Sequence, residues 1–137
     1  MPWQLFDYID ERGRNAYTDW REAQDGRTQG RADNRLITVR NAGDRLPNSV
    51  TPTSELGVSE IELNGRSGAF RIFMCRTGNR GVELTLLGGG REKDTKYIRK
   101  EPHIDPAQAG QRRSNLLVNV DARRVVHEFE EDNLGSL

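Results

Sequence analysis

Between Val58 and Leu87 apolar and polar positions succeed one another in a way that predicts three consecutive strands. Val58-Ser59-Glu60-Ile61-Glu62-Leu63 alternates cleanly, as a strand with one buried and one solvated face does. Asn64-Gly65 has the chemistry of a tight turn. Ala69-Phe70-Arg71-Ile72-Phe73-Met74-Cys75 is more continuously apolar, which suits a central strand, and the residues from Thr77 to Gly81 read as the next turn. Val82-Glu83-Leu84-Thr85-Leu86-Leu87 is the third strand, and Gly88-Gly89-Gly90 is expected to end the sheet. Connections this short predict an antiparallel meander.

Upstream, Trp3-Gln4-Leu5-Phe6-Asp7-Tyr8-Ile9-Asp10 carries large side chains suited to a strand, and Asp10 to Gly13 turns the chain. From Asn15 to about Asn41 the period becomes helical, with Asn15 as N-cap and Tyr17 and Trp20 three apart on one face. Gly26 and Gly30 are poor interior helix residues, so two helices with a break near them are expected, and Gly43 is a natural C-terminal stop for the second. Residues 44–56, with Pro47 and Pro52, read as a loop. Downstream, Asp94 to Lys100 is a short helical or irregular basic segment. Asp105-Pro106-Ala107 starts a helix that runs to about Asn119. Val120 to Phe129 adds a helix or a strand, and Glu130 to Leu137 has the composition of a frayed acidic tail. The class is α+β: a small antiparallel sheet with two N-terminal helices and C-terminal helical material.

Composition narrows the picture. A chain of 137 residues suits one domain, here 1–119, followed by a C-terminal extension, 120–137. Only 34% of residues are hydrophobic and 31% are charged, so the core must be economical. The single cysteine, Cys75, rules out an intramolecular disulfide framework and fits a reducing compartment. No stretch approaches the roughly 20 apolar residues of a membrane span. The N-terminus lacks a signal-peptide layout, so a cytoplasmic location and no membrane partner are expected.

A net charge of zero hides an uneven distribution. Residues 1–63 carry 8 basic and 11 acidic side chains, a net −3. Residues 64–100 carry 9 and 3, a net +6. Residues 101–137 carry 4 and 7, again −3. Such a basic middle attracts a polyanion locally, or simply decorates one solvated face.

The order of elements, with Gly57-Val58-Ser59-Glu60-Ile61 leading to Gly68-Ala69-Phe70-Arg71-Ile72-Phe73, resembles the RelE/ParE superfamily, and HigB-like and phage-derived members most closely. A third apolar strand and the basic run Gly89-Gly90-Arg91-Glu92-Lys93-Asp94-Thr95-Lys96 complete the likeness, which covers residues 3–117 by element order and 57–97 by specific residues. The resemblance implies a RelE-like fold and a toxin of a type II toxin–antitoxin pair. Its partners would be a cognate antitoxin, in a hetero-oligomer, and mRNA on the ribosome. RelE-like and HigB-like members cleave mRNA in the decoding site, leaving a 2′,3′-cyclic phosphate or related product. ParE-like members inhibit DNA gyrase on the same fold, and an inactive phage-derived relative is a further alternative.

RNA cleavage through the 2′-hydroxyl needs a base, stabilisation of a phosphorane and protonation of the leaving 5′-oxygen. Arg71, in an otherwise apolar strand and matching the arginine of the family phrase, is the first choice for gripping phosphate. An outward-facing residue on an amphipathic strand is the competing reading. Arg91 and Lys93 match the basic pair that follows the last strand, and either contact the backbone or lower a neighbouring pKa. Arg66, Lys96, Arg99 and Lys100 are further RNA-binding candidates. Tyr97 falls where RelE has a functional tyrosine, and with its pKa lowered by nearby Arg and Lys would be a base, or would stack on a nucleobase; it equally packs the final helix. His103 is the better placed of two histidines for a proton shuttle, ahead of His127. RelE carries lysines on the strand corresponding to 58–63, where this chain has Glu60 and Glu62; these acids repel phosphate or themselves act as base. No zinc constellation, phosphate loop or hydrolase nucleophile is present, and no cofactor or metal is expected.

Overall fold

The opening strand forms as β1 (Gln4–Tyr8), and the chain continues through α1 (Ala16–Glu22), α2 (Gly26–Arg40), β2 (Val50–Pro52), β3 (Ser59–Gly65), β4 (Gly68–Thr77), β5 (Glu83–Lys93), β6 (Lys96–Tyr97), α3 (Pro106–Val118), a 3-10 turn (Asp121–Arg123) and β7 (Arg124–Val126). This computed structural model describes residues 3–65, 68–78 and 82–129. The strands form one sheet in the order β2-β3-β4-β5-β1-β7, with β6 added to β5. The α+β class holds, but the sheet is larger than the small antiparallel one expected. Among the described residues it has seven strands, and β1 runs parallel to β5, with Leu5 opposite Leu84.

Capping chemistry sets the helix starts. The Asn15 side chain accepts from the Thr18 amide at 3.0 Å and Asp25 from the Thr28 amide at 2.8 Å. The two helices expected form, with the break just before Gly26, which opens α2; Gly30 lies inside that helix, and Asn41, not Gly43, is the C-cap. Asp105 and Gln108 cap α3 reciprocally, with Pro106 at the first helical position.

Alternation along β4 builds two cores. Ile72 and Met74 face α1 and α2 and join Leu5, Tyr17, Trp20, Leu36, Ile61 and Leu86. Phe73 and Cys75 face α3 and join Tyr8, Val58, Leu87, Ile104 and Leu116. A bulge between Phe73 and Met74 leaves Leu87 as the extra residue on β5.

The three glycines do not end the sheet; they sit inside β5, where both faces are crowded. A Cβ on Gly89 would lie 2.2 Å from the Trp20 ring, and one on Gly90 would lie 2.2 Å from the Ile104 carbonyl oxygen. At Gly88 the backbone has φ +131°, a value that side-chain-bearing residues rarely adopt. The strand then runs on to a hairpin at Asp94 and Thr95, both left-handed, so the basic segment is a turn, the two residues of β6 and irregular chain, not a helix. Past β6 the chain covers the edge of β5 that β1 leaves open: Ile98 N–H donates to Arg91 and Ile104 N–H to Gly89.

One further expectation needs correcting: Asn64 and Gly65 are the last residues of β3, not the turn. Of the helix or strand expected over Val120 to Phe129, Val125 and Val126 form part of strand β7 against β1. Arg124 anchors that strand: it pairs with Glu83 at 2.7 Å, donates to Thr77 and lies 3.7 Å over the Phe6 ring. The acidic tail, 130–137, lies outside the described residues. Among the described residues no helix is long and apolar enough to cross a membrane.

Candidate functional site

Strand register brings four polar side chains together on the α3 face. β3 places Glu62 opposite Arg71 and Glu60 opposite Phe73, while the β5–β6 hairpin places Glu92 opposite Tyr97. Arg71 Nη1 donates to Glu60 Oε1 at 2.5 Å, and its Nη2 lies 3.4 Å from Glu92 Oε2. Tyr97 Oη donates to Glu60 Oε2 at 3.4 Å, and its ring rests against Phe73 with centroids 6.1 Å apart. Arg71 Nε is buried and has no hydrogen-bond partner among the described residues. A buried N–H of this kind normally finds an acceptor.

Burial lifts the Glu60 carboxyl above its ordinary value, and the Arg71 guanidinium offsets only part of that rise. Burial, then the Glu60 charge, pushes Tyr97 up to about 12. This is opposite to the lowering expected from its basic neighbours: the carboxylate at the phenol outweighs Arg71. Tyr97 therefore stays protonated at neutral pH and serves as a donor, whereas Glu60 has the raised basicity of a proton acceptor.

Arg91, one register position from Arg71, falls on the other face of the sheet. It pairs with Phe70, and its guanidinium lies 5.1 Å over that ring. His103 stands beside it, accepting at Nδ1 from Trp20 Nε1 at 3.1 Å. Burial, then the Arg91 charge, holds its pKa below the ordinary value, so the ring is neutral and carries its proton on Nε2. Arg71 and Arg91 therefore do not share a site. Lys93 and Lys96 face each other across the hairpin, exposed, and Lys100 is exposed beyond it. Arg99 reaches Asp105 at 3.4 Å while remaining open to solvent. Lys96, Tyr97, Arg99 and Asp105 line a cavity of about 580 Å³. Arg66 lies outside the described residues.

Sequence reasoning missed Glu92 as a partner of Arg71, and it missed the pairing of His127 with Asp7, whose Nδ1 and Oδ1 lie 2.8 Å apart. The first needs the β4–β5 register and the second links residues 120 positions apart, so no local signal marks either. No group of three or more His, Cys, Asp or Glu among the described residues is arranged to hold a metal. Compared with protein-family models, curated proteins and solved structures, the chain matches none of them.

Proposed function

We propose that this protein is a toxin of the RelE/ParE kind that cleaves mRNA on the ribosome and is neutralised by a cognate antitoxin. The observation that carries the reading is the Arg71 guanidinium, set with Glu92 between a basic carboxylate and a protonated phenol. In this scheme Glu60 takes the proton of the ribose 2′-hydroxyl and the 2′-oxygen attacks phosphorus. Arg71 holds the phosphoryl oxygens as charge builds on them. The P–O5′ bond then breaks, leaving a 2′,3′-cyclic phosphate, and Tyr97 gives its proton to the departing 5′-oxygen. That transfer is downhill, because an alkoxide is a stronger base than a phenolate. Exposed Lys93, Lys96, Arg99 and Lys100 are suited to the RNA backbone. The order of a strand, two helices, the antiparallel strands β2 to β6 and a helix supports the family resemblance.

One observation favours a second reading, a non-enzymatic binding protein on the same scaffold, such as a gyrase inhibitor. Glu60 and Glu92 already compensate the charge of Arg71. The two readings separate in one experiment. Induced expression should arrest growth, and primer extension should map new mRNA 5′ ends; Arg71→Ala should abolish both while circular dichroism shows an intact fold. Arrest by the wild-type chain with unbroken mRNA would overturn the nuclease reading, and gyrase inhibition would then establish the second.

A further inference from the structure

A second cavity, of about 440 Å³, opens between β1, α1, α2 and the residues around β7, and shares no lining residue with the Glu60–Arg71–Tyr97 group. Its floor is Asp7, Tyr17 and His127, whose side chains are nearly sealed from solvent. Asp7 is fixed from both sides: Asn15 Nδ2 donates to Oδ2 at 2.9 Å, and His127 Nδ1 lies 2.8 Å from Oδ1. The Tyr17 ring meets His127 edge-on, with centroids 5.4 Å apart.

The Tyr17 hydroxyl is fully buried and has no hydrogen-bond partner among the described residues, which native interiors seldom leave uncorrected. Burial, then the charge of Asp33, lifts its phenol far above the ordinary value; Arg21 and Asp7 act on it as well. Tyr17 and all three of these charged residues line the cavity. The charge of the wall is lopsided. Asp7, Glu22, Asp33 and Glu128 face one guanidinium, Arg21, which Asp33 already grips through two bonds of 2.8 and 2.7 Å. Glu22 and Glu128 stand exposed at the rim.

We propose that this cavity binds an organic cation, an ammonium or guanidinium group, drawn in by Glu22 and Glu128 and received by the Tyr17 hydroxyl beside Asp7. A cation donates to the lone pairs of the Tyr17 oxygen and to the Asp7 positions that Asn15 and His127 leave unused. An anion meets the excess carboxylates, and an apolar group leaves the hydroxyl unpaired. The same cation chemistry arrives on a free diamine or guanidine, or on a lysine or arginine side chain of a partner polypeptide.

The test titrates the purified full-length protein with agmatine, with an alanine peptide carrying one arginine, and with acetate, following the Asn15 side-chain amide and the His127 ring by NMR. Saturable shifts with agmatine support a free cation; shifts with the peptide alone support a partner's side chain. Either way, Tyr17→Phe and Glu128→Gln should each weaken binding, by about tenfold for the loss of a hydrogen bond to a charged group. Glu128 is exposed, so its variant stays informative should Tyr17→Phe disturb the fold. The proposal is overturned by the absence of saturable shifts with both cations at millimolar concentration, by acetate binding as tightly as agmatine, or by unchanged affinity in Glu128→Gln.

Discussion

Arg71 and Arg91 come from the same basic segment and sit on adjacent positions of neighbouring strands, yet the molecule treats them differently. Arg71 opposes Gly90 and points toward α3, where Glu60, Glu92 and Tyr97 surround it. Arg91 opposes Phe70 and lies over its ring on the other face, beside His103. A strand reverses its side chains at every residue, so a one-residue offset in register separates a charge-compensated cluster from a cation lying along an aromatic surface. The +6 of the segment is therefore not one patch, and its sum says little about which arginine does chemistry.

The sharpest way to break this contrast is at the base. Glu60→Gln keeps the shape of the side chain but removes its proton affinity, and cleavage should fall by about 10²- to 10⁴-fold if Glu60 is the general base. Lys93→Ala removes one exposed contact to the RNA backbone and should lower cleavage far less. Mapping mRNA ends after induction compares the two; equal losses would mean that the site is not centred on Arg71.

The glycines between the two faces are the next test. Gly89→Ala forces the Trp20 ring aside, and Gly90→Ala forces the Ile104 backbone aside. Each should destabilise the fold by about 1–3 kcal/mol, the usual range for overpacking a filled interior. Urea midpoints measure both, and unchanged midpoints would show that the faces are looser than the close approaches indicate. Smaller still is Arg91→Ala. It removes a cation–π contact worth about 0.5–1 kcal/mol. If Arg91 also meets a phosphate, the salt dependence of RNA binding should flatten by about one unit of slope.

Much of this arrangement was legible in the chain. Alternation located β3, and the caps at Asn15 and Asp105 fixed two helix starts, because those signals are local. β5 was cut short because three glycines look like a stop; what makes them strand residues is Trp20 and Ile104, distant in sequence and invisible to periodicity. β2 is three residues ending in proline, too brief to carry a pattern. At the site, Arg71 stood out as a charge in an apolar strand, but its partners did not. The direction of the Tyr97 shift depends first on burial and then on a carboxylate 37 residues away, which the β3–β4, β4–β5 and β5–β6 registers together bring near.

His103 gives the smallest effect and the one whose sign is least obvious. In the unfolded chain its imidazole titrates near the ordinary value of about 6.5. In the fold, burial and the Arg91 charge hold it lower, and a proton on Nδ1 would also displace the Trp20 donor. Below about pH 6.5 the unfolded state therefore binds more protons than the folded state, so stability is complete above that pH and declines as pH falls toward the depressed folded value. His103→Gln offers Trp20 an amide oxygen in place of the ring nitrogen and cannot titrate. Urea midpoints from pH 7.5 down to 5.5 should decline more steeply for the wild-type protein than for this variant. Parallel curves would mean that His103 takes up its proton as readily in the fold as outside it, and the ring would then not be held by Trp20 and Arg91 as described.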